Sequence, residues 1–490
     1  MNFQLAPKRR RLWPYLVAGF IGLAVIGSLA AYFFAAQINL AAIVAFPVVQ
    51  KQLLKTVGAE HKSFLADTSE WLGVNNPKTY LILFLNNTEL RPGGGFIGSY
   101  GVVTLNKGIP KIVTIEGVEL LDNKADRTKL ASPPATLNKY LGVDRWYFRD
   151  SNWSPDFSES SKQSLAIYRA ENGVQKDSID AVIGVTTNVL EELIKLSGPV
   201  TVDGIQFTPE NIIEKLEYDV EYGFDKRGLE RAGRKQVIGT LFQTLLEKLG
   251  PDILREPAKY FKVMDQLAVQ KHILAFSENE LSQKKFVDYG WSGVFAPTTT
   301  DYLFWVDANM AALKTDHALD RSVTYSLKPD GAGNFIGTAT MEYKHQGKFD
   351  WRTSRYRSFV RIYVPLGSVL ESVKTIDSSG QETVIKETAT QTDLAAQVFS
   401  AFFSVEPGKT KSMSFTYHLP VSVSAAITQQ KYSLFIPKQL GAKTYQLTLG
   451  LDFGKTITSA VPPEISSGWG DFVYSLKSDL EVDRWFNVRF

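Results

Sequence analysis

The chain has 490 residues, 44% apolar and 21% charged, which is enough for two or three globular domains with ordinary cores. A formal net charge of +3, with no long basic run outside the N-terminus, argues against a nucleic-acid partner. There is no cysteine, which excludes disulfides, thiolate nucleophiles and Cys-based zinc sites; the histidines, His61, His272, His317, His345 and His418, lack metalloprotease spacing.

Residues 1–12 form a basic tail closed by Lys8-Arg9-Arg10-Arg11. The charge-free span that follows, residues 13–36, exceeds the roughly 20 apolar residues that cross a bilayer as a helix. The basic cluster before it places the N-terminus in the cytoplasm. The expectation is therefore a single-pass cell-membrane anchor with the bulk of the chain extracytoplasmic. Trp13, Tyr15 and Tyr32 stand near the span's ends, where interfacial aromatics belong. A cleaved signal peptide ending near Ser28-Leu29-Ala30 is the competing reading, and the length of the apolar region speaks against it. Ala18 with Gly22, and Gly27 with Ala31, give the span small-residue faces suited to a homodimer. Residues 37–75 continue in helical style as a juxtamembrane stalk, with Leu53, Val57, Phe64, Leu65 and Leu72 on one face.

From 76 to 290 strands alternate with helices, the signature of an α/β layered domain. Tyr80 to Leu85, Gly101 to Leu105 and Pro110 to Ile115 read as strands, with Asn106-Lys107-Gly108 as a turn. Helices are expected over Ser158 to Arg169, Thr187 to Leu196 and Arg231 to Leu249. Thr208-Pro209 reads as a helix start, and Pro251 to Ser282 as an amphipathic helical stretch. Residues 291–490 change character, with short alternating segments such as Arg321 to Leu327, Asn334 to Tyr343 and Ser358 to Tyr363. Regular strands split by turn residues predict an antiparallel β-sandwich-like domain. The acidic, Thr-rich stretch Asp377 to Gln391 reads as a loop or edge hairpin.

Three motifs carry candidate chemistry. In Asn87-Thr-Glu-Leu-Arg91-Pro-Gly93-Gly94-Gly95-Phe96, the glycines free the backbone to form either a tight turn or an anion-binding nest beside Arg91. Arg231 and Arg234 lie three apart on one helical face near a helix start; they either hold a diphosphate or form a solvated basic face with Arg227 and Lys235. Asp150, Asn152 and Asp156 bracket Trp153; they can coordinate a hard cation, hydrogen-bond a sugar, or form an Asx-turn.

Several segments together resemble the DUF4012 family of membrane-anchored bacterial envelope proteins. They are Asn87 to Phe96, Asp150 to Phe157, Ile179 to Gly184 leading to Gly198-Pro-Val, Val306-Asp-Ala-Asn309 and Val360 to Gly367. More distantly, Ser178 to Val185, then Ser197-Gly-Pro-Val, then Arg231-Ala-Gly-Arg234-Lys-Gln236 resemble the LytR-CpsA-Psr phosphotransferases. That resemblance implies binding or transfer of glycopolymers carried on polyprenyl pyrophosphate. It casts Arg91, Arg231 and Arg234 as catalytic, converging on the diphosphate, and Gln236 as a binding residue; the glycine loop adds Gly93, Gly94 and Gly95, and the Trp153 stretch adds Asn152, as further binding candidates. It also implies Mg²⁺ on Asp122, to which the cation reading of the Trp153 stretch adds Asp150. The sequence departs from that pattern: Gln236 is displaced by one residue, and Gly228 stands where an aspartate precedes the arginine pair. The rival expectation is a non-catalytic envelope scaffold or interaction protein.

Overall fold

The computed structural model describes residues 70–490, apart from 231–232 and 466–467. The tail 1–12, the span 13–36 and the stalk up to residue 69 lie outside the described residues. Among the described residues, no helix is long and apolar enough to cross a membrane. The chain divides into two compact units, and each draws on separate stretches of sequence. Of the described residues, the first takes those from 70 to Asn86, Phe96–Ser132 and Arg145–Val294; the second takes Asn87–Gly95, Pro133–Asp144 and Phe295–Phe490.

The first unit is built on a five-stranded sheet ordered β3-β2-β1-β4-β7, from β1 (Lys78–Asn86), β2 (Phe96–Asn106), β3 (Ile109–Gly117), β4 (Ala181–Thr186) and β7 (Ile273–Phe276). A small ribbon, β5 (Val200–Val202) with β6 (Ile205–Phe207), completes its strands. β1 is a nearly unbroken run of buried residues, as a central strand covered on both faces requires. It pairs parallel to β4 and antiparallel to β2. Lys107 and Gly108, both at positive φ, close the β2–β3 hairpin in the two-residue turn that strand twist favours.

The helix Phe157–Ala170 is capped by Asp156, whose carboxylate accepts from the Glu159 amide at 3.1 Å. Along Gln236–Arg255, the stripe Val237, Leu241, Leu245 and Leu249 is buried in the unit's apolar core, as its spacing predicts.

Two expectations fail locally. The helix expected from Arg231 is regular only from Gln236, with residues 233–235 in a tight turn before it. The expected helical stretch from Pro251 is interrupted by β7, whose four residues are all buried and pair antiparallel with β4.

The second unit is β-rich. A seven-stranded sheet runs β14-β13-β17-β11-β10-β19-β21. Its members are β10 (Leu319–Pro329), β11 (Phe335–His345), β13 (Val369–Asp377), β14 (Glu382–Val384), β17 (Thr410–His418), β19 (Gln446–Asp452) and β21 (Val473–Asp479). A four-stranded sheet runs β15-β16-β12-β9, from β9 (Phe304–Val306), β12 (Tyr356–Val364), β15 (Thr388–Asp393) and β16 (Ala396–Val405). A second four-stranded sheet runs β20-β22-β18-β8, from β8 (Asp301–Tyr302), β18 (Lys431–Ile436), β20 (Ser459–Val461) and β22 (Arg484–Arg489).

Burial alternates along β10, so Leu319, Arg321, Val323, Tyr325 and Leu327 share the inward face. Side chains of all three sheets, among them Tyr325, Ile362, Phe403, Leu434 and Phe486, meet in one apolar cluster.

Within this unit Gly441, at φ +68°, packs its Cα against the backbone of Gly94. A methyl group there would fall on the Gly94 carbonyl oxygen, well inside van der Waals contact. Gly441→Ala is therefore expected to cost at least about 2 kcal/mol, combining backbone strain with a displaced loop. Gly450→Ala, which meets open space, should leave the melting temperature nearly unchanged. Thermal unfolding of the two variants checks this.

Candidate functional site

The Arg91 loop belongs to the second unit, where its backbone and side chain are both consumed. Arg91 is buried. Its guanidinium donates to the Asn309 carbonyl and, at 3.2 Å, to Glu89 Oε1. Its own carbonyl accepts from the Gly94 amide at 3.0 Å, which closes a turn and removes one N–H from any anion nest. Gly93, Gly94 and Gly95 are buried, and Gly94 and Gly95 hold positive φ. In this loop the glycines serve a turn and a close backbone approach.

The neighbouring segments explain why the loop sits there. Arg321 is buried, with Nε on Asp307 Oδ2 at 3.1 Å and its other end on Asp316 Oδ1. Tyr356 accepts from the same guanidinium at 2.9 Å, and the rings of Tyr343, Tyr356 and Tyr445 lie around it. The second oxygen of Asp316 accepts from the Leu90 amide at 3.0 Å and the Asn309 amide group at 2.8 Å. Asp307 Oδ1 accepts from the Tyr343 and Ser358 hydroxyls at 2.7 and 3.0 Å. Burial pushes the Asp307 carboxyl upward, and Arg321 opposes that push.

The Val306-Asp-Ala-Asn309 segment and the Glu89-Leu-Arg91 segment are thus two sides of one polar network. Sequence reasoning missed Arg321 and Asp316. A signal existed, because Arg321 falls in phase with Leu319, Val323 and Tyr325 on a strand of period two.

A second charged group lies in the first unit. Arg234 donates to Glu119 Oε1 at 3.1 Å and to Glu221 Oε2 at 2.9 Å. Lys235 donates to Glu119 Oε2 at 2.6 Å and to the Gly98 carbonyl. Burial works to raise the Glu119 carboxyl, but Lys235 and then Arg234 outweigh it and hold it below its ordinary range. Burial pushes the Lys235 ammonium down, against the pull of Glu119. Two cations thus meet two carboxylates, and the charge is balanced. Gln236 is exposed at the first turn of its helix. Arg231 lies outside the described residues, and Arg91 and Arg234 belong to different units.

The expected metal residues form a third group, also in the first unit. Asp122 and Asp150 are buried, and Arg149 Nε sits on Asp122 Oδ2 at 2.5 Å. The Asp150 carbonyl accepts from the Trp146 indole at 2.9 Å, and Asn152 is buried beside it in the chain. Glu171 Oε1 accepts from the Phe148 amide at 3.0 Å, and the Glu171 carboxyl faces Asp122. Burial raises both carboxyls. Arg149 opposes that rise in both, and the Asp122 carboxylate adds to it at Glu171.

As arranged, this donor set does not fit Mg²⁺, because a guanidinium already occupies the aspartate that a cation would need. Among the described residues, no group of three or more His, Cys, Asp or Glu is placed to hold a metal ion.

Residues 75–220 match the family model described as a protein of unknown function, DUF4012. No curated protein matches the chain. The solved structures it resembles in part include the Bacillus subtilis transcriptional regulator yvhJ, at 15% identity and a TM-score of 0.23, over 45% of this chain and 78% of that one. Another is the M1 zinc metallopeptidase of Deinococcus radiodurans, at 12% identity and a TM-score of 0.17, over 37% of this chain and 43% of that one. Likenesses this slight carry no argument about fold or chemistry.

The Glu171 carboxyl gives a pH prediction. Its folded value is raised from 4.5 to about 8, so the folded protein holds a proton that the unfolded chain releases. That contribution to stability is complete below about pH 4 and is lost as pH rises through about 8. Glu171→Gln should flatten the fall in melting temperature between about pH 5 and pH 8.5. Melting curves of both proteins across that range check the sign.

Proposed function

We propose that the protein is a membrane-anchored, extracytoplasmic scaffold of the bacterial envelope, without phosphotransferase activity. The finer architecture belongs to this reading: a transmembrane helix over 13–36, an α/β unit of LytR-CpsA-Psr type and a sandwich-like C-terminal unit. One observation carries it. Both described guanidinium groups of the expected pyrophosphate site are already matched within the protein, Arg91 by Glu89 and the Asn309 carbonyl, Arg234 by Glu119 and Glu221. Phosphoryl transfer depends on positive charge held ready for the leaving oxygens. A diphosphate binding at Arg234 would have to displace Glu119 from two cations at once and leave that carboxylate unpaired.

The second reading, binding or transfer of a polyprenyl-pyrophosphate-linked glycopolymer, keeps one point of support. Arg234 and Lys235 stand at the N-terminal end of the helix Gln236–Arg255, where backbone N–H groups and the helix dipole favour an anion.

Titration decides between them. The full chain in nanodiscs is titrated with polyprenyl pyrophosphate and read by native mass spectrometry. The scaffold reading expects no saturable binding tighter than about 1 mM. Saturable micromolar binding that Arg234→Ala abolishes would overturn it in favour of the glycolipid.

A further inference from the structure

Sheet edges expose unpaired backbone groups, and proteins protect them with short strands, charges, proline, bulges or a covering segment. Most edges of this protein show such a device. β3 carries Pro110 and Lys111, and its ladder with β2 shifts register between Val102 and Val103. On β7 the Ala275 amide donates to the Trp291 carbonyl, so a following segment covers it. On β21 the Ser475 amide is taken by Glu464 Oε1. β8, β9, β14 and β20 have two or three residues each.

β15 differs. Its six residues, Thr388-Ala-Thr-Gln-Thr-Asp393, form the outer strand of the β15-β16-β12-β9 sheet. They pair with β16 without a register shift, from Thr388 opposite Ala401 to Asp393 opposite Ala396. Residues 388–392 hold no charge, proline or glycine, and all five are exposed. The one carboxylate, Asp393, accepts from the Tyr363 hydroxyl at 2.8 Å. The Gln391 carbonyl accepts from the Gln397 side chain at 2.9 Å, and the Thr388 amide donates to the Lys386 carbonyl at 3.0 Å.

The strand is also held rigid. Its hairpin turns at Leu394 and Ala395, both at positive φ, and Leu394 is anchored against the cluster of Phe295, Tyr302 and Phe304. A strand fixed in place loses little freedom on pairing.

We infer that β15 pairs antiparallel with β15 of a second copy of this chain, about a two-fold axis at Thr390 or Gln391. The two four-stranded sheets then become one continuous sheet. The occupant follows from the side chains. Strand addition by an unrelated peptide draws its specificity from pockets for alternate residues, and a row of short threonines offers none. Self-pairing sets threonine against threonine across the new ladder, with no like-charge contact along residues 388–392. The flanking Glu387 is matched by Lys139 at 2.9 Å. The inference goes beyond the scaffold reading and does not depend on it, since nothing in β15 bears on phosphate binding.

The absence of cysteine makes the test clean. Single cysteines are placed at Thr388, Thr390 and Gln391 in the full chain in membranes, and at Thr383 on the exposed β14 as a control. Opposed residues of an antiparallel pair lie about 4.5–5.5 Å apart at Cα, within disulfide range. Oxidation should give a disulfide-linked dimer strongest at Thr390→Cys or Gln391→Cys and absent at Thr383→Cys. Thr388→Lys with Thr392→Lys, added to the single-cysteine protein that cross-links, should abolish the disulfide, and mixing it with the matching Thr388→Glu, Thr392→Glu protein should restore it. Equal cross-linking at β14 and β15, no cross-linking at any β15 position, or a disulfide that survives the paired lysines would overturn the inference.

Discussion

The buried guanidinium of Arg321 is the constraint on which the second unit's polar interior depends. A cation with that little access to water must find its counter-charges inside the protein, and Asp307 and Asp316 supply them. Asp316 is thereby fixed with its second oxygen facing Leu90 and Asn309, and the Asn309 carbonyl then faces Arg91. Gln439 adds a further tie, donating to the Asp307 carbonyl at 2.8 Å and accepting from the Asp307 amide at 2.9 Å. Each member satisfies the next, so the loop Asn87–Gly95 is held by backbone as much as by side chain. Such a network contributes modest net stability, because desolvation offsets most of the attraction. Losing one partner is costly, however, since it strands the other's charge.

Local structure was legible where a local rule decided it. The apolar run at Tyr80, the Lys107-Gly108 turn and the Val237 stripe each appear where pattern and turn chemistry put them. β7 was missed because four apolar residues are too few to show a period of two within a longer helical pattern.

The site was less legible because its partnerships are remote. Arg91 meets Asn309 across 218 positions, and Leu90 meets Asp316 across 226. Motif resemblance marked Arg91 and the three glycines as special but could not say whether they face a ligand or the protein itself. Only the partners decide that, and here they are Glu89, Asn309 and the backbone at Gly441. The same holds for Arg234, whose helix-start position suits a phosphate and whose carboxylate neighbours already balance it. Asp122 was singled out as a metal ligand, whereas Arg149 and Glu171 give it a counter-charge and a shared proton instead.

The central claim is that Arg91 is a structural member of the second unit's buried network. Thermal unfolding of Arg91→Ala in the full chain tests it most directly. Removing the guanidinium takes one partner from Glu89 and the donor from the Asn309 carbonyl, and opens a gap in a buried polar network, which should cost about 3 kcal/mol and lower the melting temperature by several degrees. A melting temperature within about 1 °C of the unaltered protein would contradict the account, because an arginine held ready for a ligand can be removed without loss of stability.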